Sequence, residues 1–238
     1  MTSPHPSGEQ PLIRLDDVIK RYGQGDSAFT ALNHVSVSIN KGESVAIIGK
    51  SGAGKSTFMH LTALLDTPTS GSITLNGTNT TKLSASQLAK VRNDTFGFVF
   101  QQFFLITNGS VLDNVALPLT IAGVNRRRRE RRAMNALKLL GLDNKAHNKA
   151  SDLSGGQKQR VVIARALINE PDVIFADEPT GNLDSATGQV VEDTLFSLHR
   201  DRGITLVIVT HDPDLAAKCD RQITIADGRV ASDERKAL

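Results

Sequence analysis

Gly49-Lys50-Ser51-Gly52-Ala53-Gly54-Lys55-Ser56-Thr57 is the stretch that decides the fold, because it matches the phosphate-loop pattern G-x-x-x-x-G-K-[ST] at every position. An apolar run at 44–48 precedes it, and residues 58–65 after it have the length and composition of a helix. The glycines let backbone N–H groups turn toward phosphate oxygens, and the N-terminus of the helix adds a positive dipole. We expect Lys55 to contact the terminal phosphates and the Ser56 hydroxyl to bind Mg²⁺.

A glycine-rich turn that only connects a strand to a helix is the alternative interpretation of this stretch. With average composition, the four specified positions would occur by chance in about 1% of chains of this length. The context of strand, loop and helix lowers that chance further. The pattern therefore predicts a phosphate cradle.

The length and composition indicate one two-lobed domain. The chain has 238 residues, of which 39% are hydrophobic, and these are enough for a buried core. We place the domain at 12–231, after a loose tail at 1–11 and before a charged end at 232–238. Cys219 is the only cysteine, which fits a reducing compartment. No stretch approaches the ~20 apolar residues of a membrane span, so we expect a soluble intracellular chain that reaches a membrane through a partner.

The run at 126–132 is the one concentration of basic residues in a chain whose net charge is +3. Such a run could bind nucleic acid or acidic lipid headgroups. The alternative is the solvated start of a helix, for which the apolar residues between 133 and 140 supply a buried face. We favour the helix because neither interleaved aromatic residues nor a base-reading module accompanies the run.

Partial alternation of apolar and polar residues marks the N-terminal region as an antiparallel sheet. The pattern occurs at 12–22 and 32–39, and a third strand is expected at 70–78 with Asn76-Gly77 as its turn. Tyr22 is the only tyrosine and the chain has no tryptophan. Tyr22 is therefore the best candidate for stacking on a flat base, with simple packing as an equal alternative.

Two apolar runs that end in polar residues are predicted to be central strands of an α/β sheet. The first, 96–100, ends at Gln101, and the second, beginning at 172, ends at Asp177-Glu178. Polar residues at the carboxyl ends of central strands commonly face the ligand. Adjacent carboxylates at such a place require a counter-charge, which Mg²⁺ beside Ser56 would supply. We predict that Asp177 binds this metal and that Glu178 reaches a water; the alternative is that both cap a following helix.

A third apolar run at 204–209 ends near His211, which could sense or orient the terminal phosphate. A lone histidine is more often packed or solvated, and that is the alternative. A hairpin with an Asp-Gly turn is expected at 222–231.

The segment at 102–168 is predicted to be an inserted helical lobe. Its last helix begins at Leu153-Ser154-Gly155-Gly156-Gln157, where Ser154 and Gln157 have the spacing of a capping box. Each of the two glycines costs about 1 kcal/mol relative to alanine in a helix. Close approach of another molecule's phosphate or backbone would explain them, and an ordinary capped helix is the alternative.

These motifs, in this order, resemble the nucleotide-binding subunit of ABC transporters over residues 12–231. The resemblance implies an α/β P-loop NTPase fold with a mainly parallel central sheet, an antiparallel N-terminal β subdomain and an inserted α-helical subdomain. It also implies ATP and Mg²⁺ as cofactors, each ATP being held between the loop 49–57 of one copy and the segment 154–157 of a second copy. Four further residues receive roles by resemblance: adenine stacking for Tyr22, the lobe-linking contact to γ-phosphate and metal for Gln101, the dimer-crossing loop for Asp184, and the switch histidine for His211.

The sequence at 177–185 and at 98–106 is similar to a narrower branch, which contains the macrolide-export, lipoprotein-release and antimicrobial-peptide-resistance ATPases. The cell-division ATPase is also similar. The chain departs from that branch at Thr107 and Ala150, where proline is usual. The resemblance implies an integral membrane permease subunit as partner, at the cytoplasmic face of the cell membrane, and no nucleic acid.

Two other classes of protein fit the sequence less well. Non-transport ABC ATPases usually have coiled-coil arms or two ATPase domains, but the gap between Ser56 and Ser154 has no sustained heptads and the phosphate loop occurs once. A metabolic kinase would leave the segment 153–157 unexplained.

The apolar residues at 103–106 follow Gln101 at the joint between the predicted lobes. They could all be core. By resemblance, some of them instead line a groove for a short helix of the membrane subunit.

Overall fold

The computed structural model describes residues 10–236. Nearly all of the predicted tail at 1–11 lies outside them. The strands are β1 Ile13–Tyr22, β2 Phe29–Ile39, β3 Ser44–Ile48, β4 Ser70–Leu75, β5 Thr78–Asn79, β6 Phe96–Phe100, β7 Val173–Asp177, β8 Thr205–Val209, β9 Arg221–Ala226 and β10 Arg229–Arg235. The α-helices are α1 Lys55–Thr62, α2 Ala85–Thr95, α3 Val111–Ile121, α4 Arg126–Leu139, α5 Gly155–Leu167, α6 Ser185–Arg202 and α7 Pro213–Lys218.

The central sheet has six strands in the order β10-β9-β3-β8-β7-β6. All pairs are parallel except β9 with β10. Every residue of β8 is buried, because apolar clusters cover both faces of the sheet. The predicted mainly parallel central sheet is therefore confirmed.

The N-terminal sheet is antiparallel, with strand order β2-β1-β4-β5. Its predicted existence is confirmed, but β4 ends at Leu75 rather than extending to residue 78. Asn76 and Gly77 both have positive φ, 47° and 74°, and the turn that they form leads into the short strand β5.

A layer of three helices, α3 to α5, lies between β6 and β7 in the chain. Their apolar faces form a third cluster of buried residues that includes Val115, Leu137 and Val161. The predicted inserted helical part of the fold is thus confirmed. Within residues 10–236, none of the helices combines the length and apolar character needed to cross a bilayer.

The predicted hairpin is longer than the sequence indicated. We expected it to end at Ala231, with a charged end from 232, but β10 continues to Arg235. The charged residues remain in the strand because they are paired: buried Arg221 binds Asp233, and Arg235 lies 3.0 Å from Glu43. The charged residues up to Arg235 are thus part of the sheet.

Candidate nucleotide-binding site

The register of the central sheet brings the predicted polar residues to one edge. Phe100 of β6 pairs with Asp177 of β7, and Val209 of β8 pairs with both Asp177 and Ile47 of β3. The carboxyl ends of these four parallel strands are therefore level. The residues that follow them are Gln101, Glu178, Thr210 and Ile48.

The phosphate loop joins β3 to α1 and folds around the Lys55 side chain. The Lys55 ammonium donates to the carbonyl oxygens of Gly49 and Lys50, at 2.8 and 3.1 Å. Gly52 has a φ of +78°, and a Cβ placed there would meet nothing within 4 Å. Glycine at position 52 therefore allows the left-handed backbone conformation. It also leaves that side of the loop open to a ligand. The phosphate contacts of 49–57 stay a prediction.

Asp177 is half-buried beside a second carboxylate. Burial raises its pKa, the charge of Glu178 raises it further, and Lys55 and His60 act in the opposite direction. A cation at this position would offset both the burial and the repulsion. Asp177 and the exposed Ser56 hydroxyl are hard oxygen donors, which suit Mg²⁺, an ion that takes one or two protein ligands and fills its shell with waters and phosphate oxygens.

Glu178 has a left-handed backbone with φ +45°, an unfavourable conformation for a non-glycine residue that is common at functional sites. Its backbone N–H donates to the Val209 carbonyl at 2.9 Å. One carboxylate oxygen lies 2.8 Å from Nδ1 of His211, and the other accepts from Thr210 Oγ1 at 3.4 Å. These contacts fix the direction of the carboxylate at the strand end.

The helix that follows these carboxylates is capped by a different residue. Asp184 is the N-cap of α6, and its side chain accepts a hydrogen bond from Thr187 N at 3.0 Å. This bond is the main reason that the pKa of Asp184 is lowered. The alternative role of Asp177 and Glu178 as helix caps is therefore wrong, whereas the predicted place of Asp184 at a dimer interface stays a prediction.

His211 is exposed, with a contact to Glu178 that raises its pKa through hydrogen bonding and charge. The attraction is fully present below the ordinary histidine pKa of about 6.5. It is lost as the pH rises through the raised pKa, because the neutral ring no longer carries a charge. His211 thus reaches the same carboxylate that is predicted to orient water.

Two residues that sequence reasoning missed hold the loop between Glu178 and α6. Asn182 donates to the Gln101 carbonyl at 2.8 Å and accepts from the Gln101 side chain at 3.3 Å. Gln159 of α5 is buried and donates to the Pro179 carbonyl at 2.7 Å. No local pattern marks Asn182, since its partner lies 81 positions away. The metal and phosphate contacts of Gln101 stay predictions.

The segment at 153–157 begins α5 with the predicted capping box. Ser154 accepts from Gln157 N at 3.4 Å, and the Gln157 side chain accepts from Ser154 N at 3.0 Å. A Cβ at Gly156 would lie 2.2 Å from Thr187 of α6, so packing inside the chain already requires this glycine. Gly155 is exposed, and a Cβ there would lie 3.5 Å from Leu183, which is an ordinary contact. Packing inside the chain therefore explains Gly156 but does not explain the glycine at 155.

Tyr22 lies beside the start of α1. Its hydroxyl donates to Asp66 at 2.8 Å, and its pKa is raised by burial and by Asp66, with the Thr57 side chain acting in the opposite direction. Its ring is 5.5 Å from that of Phe29, which is 60% exposed and which sequence reasoning missed. Adenine stacking by Tyr22 stays a prediction, and Phe29 is a second aromatic ring at the same place.

Comparison with known proteins gives one consistent result. The family model described as ABC transporter matches residues 32–181. The macrolide export ATP-binding/permease protein MacB of Mannheimia succiniciproducens is 46% identical over 94% of the chain, and the probable syringafactin export ATP-binding/permease protein SyfD of Pseudomonas syringae pv. tomato is 45% identical over 97%. The chain spans 35% and 34% of the lengths of these two relatives.

Solved structures show the same similarity. The ATP-binding cassette MJ0796, in a dimeric post-hydrolysis state bound to ADP and Pi, is 41% identical with a TM-score of 0.86. That match covers 95% of this chain and 100% of the other. CbiO1 of Clostridium perfringens, part of the ABC transporter complex cbiONQ, is 30% identical with a TM-score of 0.84, and the match covers 95% of this chain and 89% of CbiO1.

Proposed function

We propose that this chain, which belongs to the ABC transporter family, hydrolyses ATP as a dimer and thereby drives a membrane permease of the export type. The observation that carries the proposal is the level alignment of the phosphate loop, Asp177-Glu178, Gln101 and His211 at one edge of the sheet. The export relatives named above support the type of transport.

In the proposed site, Lys55 and the loop amides bind the β- and γ-phosphates. Ser56 and Asp177 hold Mg²⁺, which when bound neutralises charge on the phosphate oxygens. Glu178, directed by His211 and Thr210, accepts a proton from the attacking water. Gln101 contacts the terminal phosphate and the metal from the end of β6. Tyr22 stacks on the adenine.

The dimer is proposed because the segment 154–157 lies on the helical layer, apart from the phosphate loop. Among the described residues, no hydrogen bond or ion pair joins it to the loop 49–57. A second copy would present Ser154 and Gly156 to the γ-phosphate, and Asp184 would lie at the contact between copies. The dimeric ATP-binding cassette MJ0796 supports this arrangement.

The proposed docking site for the permease is an apolar groove of about 410 Å³ beside the nucleotide site. Its lining comes from β6, α2, α3 and the end of α5, and includes Phe100, Phe104, Leu117, Pro118 and Ile121. Phe104 is 65% exposed and Ile106 is 50% exposed, so the interpretation of the whole apolar run at 103–106 as core is wrong for these two residues. Ile121, at the end of α3, is 72% exposed. Phe103 and Leu105 do pack against the core clusters.

The position of Phe104 in this groove would allow it to transmit movement from the nucleotide site to the permease. Arg165 donates to the carbonyl oxygens of Phe103 and Phe104, at 2.9 and 2.7 Å, and fixes the backbone there. Gln101 is three positions away. A helix of the permease seated on Phe104 would therefore move with the residue that contacts the γ-phosphate. With the permease in the groove, the proposal is that the chain works at the cytoplasmic face of the membrane.

Replacing Phe104 with serine should weaken co-purification with the permease by at least about tenfold, since a large exposed aromatic contact is lost. Basal ATPase activity should stay within a few-fold. Val190→Ser, which changes an exposed apolar residue on α6, is the matched control and should leave co-purification unchanged. Normal permease binding by the Phe104→Ser variant would contradict the proposal that the permease docks in this groove.

A further inference from the structure

The N-terminal half of α4 carries a concentration of positive charge that the rest of the chain lacks. Residues 126–132 contain six arginines and one glutamate, which gives this segment a net charge of +5. The whole chain has a net charge of only +3, so its other residues sum to −2. The charge is thus a local feature of one helix.

Three of these six arginines have side chains without an ion-pair or hydrogen-bond partner among the described residues. Arg127, Arg128 and Arg131 are exposed, and among residues 10–236 no ion pair or hydrogen bond involves their side chains. Because Arg131 is four positions from Arg127 and three from Arg128, the three side chains lie on one side of the helix. The partnered arginines are Arg126 with Glu130, Arg129 with the Val124 carbonyl, and Arg132 with the Ile168 carbonyl and Glu170.

Folding does not explain the three free arginines. Arg127 and Arg128 lie in the first turn, at the positive end of the helix dipole, where cations are unfavourable, and that turn has no acidic residue. Arg127 and Arg131 also repel each other at a spacing of four. Buried Ala133 and Leu137 hold α4 against the other helices without them. We therefore attribute the three arginines to binding of an external anionic surface rather than to stabilisation of the fold.

The N-terminus of α4 lies close to one end of the apolar groove. Ile121, which lines the groove, ends α3, and only residues 122–125 separate it from α4. The link folds back, with Val124 N donating to the Leu119 carbonyl at 3.0 Å. Farther along α4, Arg132 binds the carbonyl of Ile168, the neighbour of the groove residue Asn169. The N-terminus of α4 is therefore one short link away from a residue that lines the groove.

We propose that Arg127, Arg128 and Arg131 bind anionic lipid headgroups beside the permease. The orientation toward the membrane rests on the proposed function, because the permease would occupy the groove at the bilayer surface. Each arginine near an anionic membrane strengthens binding by about fivefold. Nucleic acid is the less suitable polyanion, since no aromatic residue lies between 124 and 140 to stack on bases.

The test is co-flotation of the purified chain with phosphatidylcholine vesicles that contain or lack phosphatidylglycerol. The chain should float only with the anionic vesicles, and the variant Arg127→Gln/Arg128→Gln/Arg131→Gln should bind roughly 100-fold more weakly. Salt at about 1 M, which shortens the Debye length to ~3 Å, should release the chain. Inorganic phosphate should release it no better than chloride of equal ionic strength, because the site is a surface rather than a phosphate pocket.

The control variant Arg14→Gln/Lys82→Gln/Arg229→Gln removes three exposed charges from elements away from α4 and should bind vesicles within a few-fold of the parent. ATPase activity should be near normal in both variants, so a failure here is distinguishable from a failure of the ATPase proposal. The proposal is overturned if the parent ignores anionic vesicles, or if the α4 variant binds them equally well. Binding of labelled DNA through these arginines, without vesicle binding, would assign them to nucleic acid instead.

Discussion

Replacing Glu178 with glutamine should slow ATP hydrolysis by about 100-fold or more while ATP binding is retained. Glutamine has nearly the same shape as glutamate, but its amide cannot accept the proton of the attacking water. The carboxylate of Glu178 lies 2.8 Å from His211 and is directed toward the strand-end edge where the phosphates are proposed to lie. Phosphate release by the purified chain in the steady state measures the effect.

Glu234→Gln is the matched control for this substitution. Glu234 is an exposed carboxylate on β10, and its replacement should leave the rate unchanged. Hydrolysis at the parent rate by the Glu178→Gln variant would show that Glu178 is not the base. The role of the strand-end carboxylate would then have to be given up.

Replacing Lys55 with alanine should weaken ATP binding by about 10- to 100-fold, since a hydrogen bond to a charged group is typically worth about 1.5–3 kcal/mol. Turnover should fall as well. Alanine is the best helix former, so α1 should still begin at this position. The loop loses the ammonium that bridges Gly49 and Lys50, but its glycines keep their conformations.

Titration with a fluorescent ATP analogue, together with circular dichroism as a check of folding, measures this effect. Lys90→Ala serves as the control, because Lys90 is exposed on α2 and its one ion pair among the described residues is with Asp94. A folded Lys55→Ala protein that binds ATP with parent affinity would contradict the assignment of the phosphate cradle.

Features of the fold that depend on local sequence could be predicted. The phosphate loop, the apolar central strands and the capping box at Ser154 each have a signal within about ten residues, because turn chemistry and capping are local interactions. The helix α2 escaped prediction although Ser84 and Gln87 form the same kind of capping box. None of its residues is fully buried, and only Leu88 and Val91 pack against the core from it, so its apolar stripe is short and gives a weak signal.

Features that depend on tertiary contacts could not be predicted. The sequence suggested that another molecule requires both Gly155 and Gly156, but Thr187 of α6 alone excludes a side chain at Gly156. Asn182 and Gln159, which hold the loop after Glu178, have partners 81 and 20 positions away. The last residues of β10 pair with β9, and two of them, Asp233 and Arg235, also form ion pairs with Arg221 and Glu43, which are distant in the sequence.

The mass of the Glu178→Gln variant in the presence of ATP and Mg²⁺ tests the central claim most directly. Light scattering should give twice the chain mass of 25.6 kDa with ATP, and 25.6 kDa with ADP. Adding Ser154→Asp should abolish the dimer: aspartate caps a helix as well as serine does, but it places a negative charge where the γ-phosphate of the second copy is proposed to lie. A particle of 25.6 kDa at saturating ATP, or a dimer that survives Ser154→Asp, would contradict an ATP site shared between two copies.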